Sequence, residues 1–354
     1  MTSRHPAPVP WPALRGGLLA LAAALLFGAS TPLVQRLGVG IGSFGTAALL
    51  YAGAALAGAL LRRPVEAEAR LRRGDAGRLA WMALFGAVIG PVALAWGLQR
   101  TSGAGASLML TLEAVFTALL ARMLYRETLD RRLQLALVLL TLGAMALVFD
   151  RAEAGAVQLL GLLGVLLATA AWGTDNALSR PLAERDPGQV VLVKSALGAA
   201  ATASIALLLR ESLPAPAAAL GLLAVGALGY GASLRFYLLA QRAFGAARTA
   251  SVFAFAPFVG AALAFALGDA GGGLWMAVGS AAMAAGIALH ILERHSHEHL
   301  HDLAQHEHAH RHDDGHHLHR HAAMPEGAHS HAHGHAPLRH AHPHVPDEHH
   351  AHRH

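Results

Sequence analysis

The chain contains no cysteine among its 354 residues, so neither a disulfide framework nor a thiolate metal site is available to it. Charge is also scarce. Only 14% of residues are Asp, Glu, Lys or Arg, against ~25% in ordinary soluble domains. There is a single lysine, Lys194, and aromatic residues make up 6%. Polar loops are short as well, and Ser-His-Asp arrangements and Walker-type phosphate loops are missing, which leaves no visible enzyme site and no ATP-driven pump. The sequence pI near 10.3 does not indicate nucleic acid, because the arginines sit in short connections between apolar runs, where membrane topology signals lie.

What the chain has instead is apolar length. Ten runs occur, at roughly 16–37, 42–61, 79–98, 104–125, 133–149, 157–178, 189–209, 217–239, 247–267 and 273–292. Runs of ~20 apolar residues span the hydrocarbon of a bilayer as helices. Residues 1–15 are Pro-rich and polar and carry no evident cleavable signal, so the first run is read as a helix that stays in place. Gly103–Arg132 organises the rest: small residues, then an apolar run with Glu113 near its middle, then the charged turn Arg126–Arg132 and a returning run.

The arginines set the orientation. With the N-terminus inside and alternating crossings, cytoplasmic segments hold Arg4, Arg15, six arginines from Arg62 to Arg78, Arg122, Arg126, Arg131, Arg132, Arg180, Arg185, Arg242, Arg248 and Arg294. The outer connections hold only Arg36, Arg100, Arg151 and Arg210. This bias predicts both termini in the cytoplasm of an inner, plasma-type membrane.

The halves resemble one another. An offset of 142 lays Gln99-Arg100 over Gln241-Arg242, Gly103-Ala104 over Gly245-Ala246 and Glu127 over Asp269, and Phe27-Gly28-Ala29-Ser30 resembles Trp172-Gly173-Thr174-Asp175. Five spans per repeat is odd, so the second repeat enters the membrane inverted, as in carriers that alternate access around a midplane site. The expected fold is therefore an all-α integral membrane protein. It has ten transmembrane helices as two inverted five-helix repeats, 16–149 and 157–292, followed by a disordered His-rich tail, 295–354.

These features resemble the EamA family of the drug/metabolite transporter superfamily. The family's repeats end in a span with a Glu-Pro pair. Here the first reads TLEAVFTALLARMLYRETL, with Glu113 followed by Ala114, and the second reads FAFAPFVGAALAFALGD, with Ala256 before Pro257. The family's Trp-Gly motif appears as Phe27-Gly28 and Trp172-Gly173. The resemblance covers about 16–292 and implies a carrier of small molecules working as an exporter. It names no substrate.

Ionisable residues within spans are costly and mark candidate sites. Glu113 is the deepest carboxylate, a candidate for proton coupling, for pairing a cationic substrate, or for helix packing. Asp175 and Asn176 follow in the sixth span with Trp172 at i−3 of Asp175 on the same face, a polar pocket with an aromatic wall or a cap near the span's end. Arg235 and Lys194 also fall in apolar runs; snorkelling explains both, and the alternatives are pairing of one with Asp175 or use of one to hold an anionic substrate. Tyr230, Tyr237 and Trp96 suit either a cavity lining or an interfacial belt, and Pro32 and Pro91 invite kinks. Gly86 and Gly90 form a GxxxG pair that allows close helix approach.

The tail holds 23 of the 25 histidines and has no apolar period. His297, His299, His301, His306, His308, His310, His312, His329, His331, His333 and His335 alternate with other residues, and neutral imidazole suits divalent zinc, nickel or cobalt. No cofactor is required. The expected partners are the lipid bilayer and a small-molecule substrate, with a homodimer compatible, and no nucleic acid. Three classes stay open: a proton-coupled secondary transporter of a metabolite or drug-like solute, a transition-metal exporter using Glu113 and Asp175 as ligands, and a membrane metal sensor or buffer that moves nothing.

Overall fold

The computed structural model describes residues 11–62, 69–125, 131–153, 155–182, 185–244, 246–269 and 273–291, and of the tail 296–301, 304–310, 329–335 and 338–343. The N-terminal segment 1–10, the core of the charged turn (126–130) and His312 lie outside the described residues.

In lipid a backbone must satisfy its own polar groups, which leaves the helix as the form for each apolar run. From residue 11 to residue 291 every named element among the described residues is helical. Eight stretches are long and apolar enough to cross a membrane: Arg15–Leu37, Ser43–Leu60, Arg73–Leu98, Gly103–Tyr125, Arg131–Asp150, Ala156–Ser179, Pro187–Leu208 and Pro216–Gln241. Two apolar helices, Ala256–Ala266 and Leu274–Leu289, are shorter. The chain is a multi-pass membrane protein. Large apolar side chains such as Leu208 and Leu274 point outward, as a lipid-facing surface requires, while Leu50, Leu94, Leu108 and Leu162 are fully enclosed.

Helix α1 (Trp11–Leu37) begins five residues earlier than the apolar run suggests and carries Pro32 within it. It is followed by α2 (Ser43–Leu60). The third span is compound: α3 (Ala76–Met82), a π-helical segment Ala83–Ile89, and α4 (Gly90–Leu98). Pro91 sits at the start of α4 and has no N–H for the carbonyl a turn earlier, which is a physical cause for the widened segment before it. The fourth span breaks at Leu110–Thr111 into α5 (Gly103–Met109) and α6 (Leu112–Tyr125). Helices α7 (Arg131–Glu153), α8 (Ala156–Ser179) and α9 (Pro187–Leu208) follow. Next come α10 (Pro216–Val225), a second π-helical segment Gly226–Ala232, and α11 (Ser233–Phe244). Then α12 (Ala246–Phe253) and α13 (Ala256–Ala266) flank a break at Ala254–Phe255, with Pro257 in the first turn of α13, and α14 (Leu274–Ile291) closes the bundle.

Polar contacts tie the connections together at two ends. At one, Gln35 donates to the Thr101 carbonyl at 2.9 Å and Gln99 to that of Ile41 at 2.9 Å. There too, three carboxylates reach backbone N–H groups at the starts of other helices: Glu211 to Gly45 at 2.7 Å, Asp269 to Ala104 at 2.8 Å, and Asp150 to Gly273 at 2.9 Å. Each satisfies donors that a helix leaves unpaired at its start. At the other end Arg185 meets Asp75 at 3.1 Å, and Leu71 N donates to Gln189 at 3.1 Å.

Parts of the tail form two short antiparallel ribbons. β1 (Ser296–His301) pairs antiparallel with β4 (Leu338–Pro343), and β2 (Ala304–His310) with β3 (His329–His335). Alternating His-x-His has the period of a strand, which is the physical reason such segments can pair. Two-stranded ribbons are marginal on their own in water, so they do not amount to a packed domain.

Candidate substrate and coupling site

The site forms where the third, fourth, sixth, seventh and eighth spans approach one another. Gly86 opens the space. A Cβ there would collide with the Asp175 carboxylate and lie 2.8 Å from Lys194 Nζ, and a Cβ on Gly90 would lie 2.6 Å from Trp172 Nε1. The GxxxG pair therefore seats side chains of the site, and does not serve helix contact alone.

Asp175, on α8, is 5% exposed, and Lys194, on α9, is 4% exposed. Lys194 Nζ donates to Asp175 Oδ2 as an ion pair. This corrects the snorkelling expectation for Lys194: the ammonium points into the bundle because a carboxylate is there to receive it. The other carboxylate oxygen, Asp175 Oδ1, is buried without a hydrogen-bond partner among the described residues. One residue along, Asn176 Nδ2 donates to Glu113 Oε1 at 2.5 Å, joining α8 to α6 just after the break in the fourth span.

Around these groups stands an aromatic cluster. Phe27 lies edge-on to Trp172 at 5.7 Å between ring centroids and to Tyr230 at 5.8 Å. Tyr51 lies 5.6 Å from Tyr230, which lies 6.1 Å from Trp172. Phe253 extends the cluster, 5.5 Å from Phe27 and 5.0 Å from Tyr237. Trp172 Nε1 donates to the Gly86 carbonyl at 2.9 Å, and Tyr51 OH donates to the same oxygen. Gly86 belongs to the π-helical segment, where carbonyls lose their regular helical partners, and two side chains take this one up.

Access is uneven. Every residue of α5 is buried, whereas in α6 only Leu112 and Val115 are. Glu113, Thr117, Asn176, Tyr237 and Phe253 are half-buried. The half-span α5 is enclosed along its length, and α6 is the more exposed of the two.

The structure thus brings together Glu113, Asp175, Asn176 and Trp172 of the residues singled out in the sequence. Arg235 is buried on α11, in the span that carries Tyr230 and Tyr237, but the charge that Asp175 receives comes from Lys194. Trp96 is set apart, half-exposed with the Arg100 guanidinium 4.1 Å from its ring centre, as in an interfacial belt. Tyr51 and Phe27 were not anticipated as lining residues. Lys194 carried a usable signal, being the only lysine in the chain and lying inside an apolar run. Among the described residues no three His, Asp or Glu side chains converge on a position for a metal ion. Of the tail histidines, the strand register places His306 opposite His333, His308 opposite His331 and His310 opposite His329, with His297 and His299 opposite other histidines. His301 and His335 end β1 and β3.

Comparison with known proteins bears on this arrangement. Residues 14–149 match the EamA-like transporter family. This part of the chain is an EamA domain. Over 210 residues the chain is 32% identical to an uncharacterized transporter of Methanothermobacter thermautotrophicus, covering 58% of this chain and 61% of that protein, so the match spans less than two thirds of the relative. A crystal structure of another protein is similar over 77% of this chain and 94% of its own, with a TM-score of 0.56 and 19% identity, a likeness of fold alone. Both matches, the family model and the transporter relative, cover part of the chain.

Proposed function

We propose that this protein is a secondary, proton-coupled carrier that exports a small metabolite or drug-like solute across the inner membrane. The observation that carries the reading is the placement of Glu113. It is an intramembrane carboxylate at the junction between an enclosed half-span and a more exposed one, held by the neutral Asn176 amide. A carboxyl there can exchange protons with the open side and change its interactions as the half-spans move.

Ten crossings in two inverted five-span repeats complete the proposal. The π-helical segments fall in the third and eighth spans and the breaks in the fourth and ninth. Packing also supports the exchange of halves: α1 lies against α11 and α13, as α8 lies against α4 and α6, while α2 pairs with α9 and α7 with α14. Pairings of this kind survive renumbering by five spans. The connections that meet at each end are those the arginine bias separates, which supports placing the Asp75–Arg185 end in the cytoplasm. Helix α6 runs on from Glu113 towards that end, and the proposal takes this side as the open, cytoplasmic one where an exporter loads.

We further propose that the tail collects divalent zinc, nickel or cobalt beside the inner mouth, as a regulator and not as the translocation path. Its alternating histidines support this. The test of the main reading is flux in proteoliposomes under an imposed pH gradient, comparing the wild type with Glu113→Gln across candidate solutes. Proton-driven flux lost in the variant supports the proposal; equal flux in both removes Glu113 from coupling.

A further inference from the structure

The Asp175–Lys194 pair has a cost that its packing does not explain. A buried ion pair loses several kcal/mol of hydration per ion, and apolar side chains of similar size are often as stable or more so. Here the pair is also incomplete. Lys194 takes Asp175 Oδ2 and leaves Oδ1 buried with no partner among the described residues. A carboxylate holding a vacant, desolvated oxygen can accept a second cation before it releases the first.

We propose that Asp175 is the binding carboxylate for a protonated organic amine, and that Lys194 is the tethered cation that keeps its place while the site is empty. This inference rests on the carrier reading above. The walls define the ligand class. Trp172 shares a helix face with Asp175, and Phe27, Tyr51 and Tyr230 close around it at centroid separations of 5.6 to 6.1 Å. Aromatic faces attract ammonium groups and accept an apolar body beside them. Calcium or magnesium takes six or more oxygens and zinc about four ligands, and among the described residues no three His, Asp or Glu side chains gather here. The lysine stem is flexible and its ammonium has three rotatable donors, so it can leave one carboxylate for another.

The second carboxylate is Glu113, bonded to the residue next to Asp175. The exchange then balances. In the empty site Glu113 carries a proton and Lys194 neutralises Asp175. An incoming ammonium occupies Asp175, Lys194 moves to Glu113, and the Glu113 proton leaves to the open side. One cation enters, one proton departs, and the charge of the site is unchanged. Further titratable or charged groups of the surrounding spans include Tyr51 on α2, Tyr230 in the second π-helical segment, Tyr237 and Arg235 on α11, and, towards the span ends, Arg78 on α3 and Arg122 and Tyr125 on α6. The tyrosines are neutral throughout, and Arg235 keeps its charge.

The test is equilibrium binding to the full-length protein in detergent by calorimetry, with 2-phenylethylammonium as the probe and 2-phenylethanol and 3-phenylpropionate as neutral and anionic controls. The ammonium should bind and the controls should not compete. Its affinity should rise about tenfold per pH unit while one proton is released, and lose that dependence in Glu113→Gln. Asp175→Asn should abolish binding. Asp175→Asn with Lys194→Gln, which strands no buried charge, should do the same in a protein that elutes as the wild type does. Ammonium binding that survives the double variant, or a control that binds as well as the ammonium, overturns the proposal. If the probe fails to bind while another solute still shows flux that needs Glu113, this inference falls and the carrier reading stands. If flux never needs Glu113 but the ammonium binds through Asp175, the coupling reading falls instead.

Discussion

Asn176 donates to Glu113 across the fourth and sixth spans at 2.5 Å, next in sequence to the aspartate that Lys194 neutralises. One turn of α8 thus presents a neutral donor to one carboxylate and places another beside a cation. The two acids are distinguished by their partners and not by their residue type. Replacing Asn176 with Ala should shift the pH midpoint of transport without abolishing its pH dependence, whereas a packing role alone would lower yield and leave the profile in place. A pH series of initial rates separates the two.

Gly86→Ala should disable the site. The added methyl enters the space of Asp175 and Lys194, and overpacking of this kind costs ~1–3 kcal/mol. A lowered melting temperature together with lost transport is expected. Gly77→Ala is the control, since a Cβ there meets nothing within 4 Å.

The absence of cysteine makes topology directly measurable. Val39→Cys and Leu213→Cys, both highly exposed at the end where Glu211 and Asp269 cap helices, should react in intact cells with a thiol reagent that cannot cross membranes. Gly77→Cys should react only after the membrane is opened. The opposite pattern would invert the protein and turn the open side of the site outward.

Deleting 295–354 should remove divalent-metal binding from the purified protein and leave solute flux in place. Binding by the full chain should weaken below about pH 6.5, because a protonated imidazole cannot coordinate. Metal binding unchanged by the deletion would end the metal reading of the tail.

Much of the architecture was legible in the residues because lipid simplifies the rules. An apolar run of sufficient length becomes a helix, and arginines mark the connections. The π-helical segments were less legible: Pro91 hints at the first, but nothing beyond its glycines announces Gly226–Ala232. Glu113, Asp175, Asn176 and Trp172 could be found because polar residues in apolar runs are rare. Lys194 stood open between snorkelling and pairing with Asp175 because its position near a span's end fits both, and only the approach of α8 shows where its ammonium goes. Tyr51 carried no such signal, since an aromatic residue alone in a span reads the same whether it meets lipid or a site, and Phe27 was marked only by its match to Trp172 in the Trp-Gly motif.

The most direct test of the account is solute flux in proteoliposomes under a pH gradient, with wild type and Glu113→Gln reconstituted in parallel. The account predicts that a proton gradient drives solute movement against its own gradient in the wild type. In Glu113→Gln the driven component should fall by at least about tenfold, ~1.4 kcal/mol, while solute binding persists. Equal proton-driven accumulation in both proteins would contradict it.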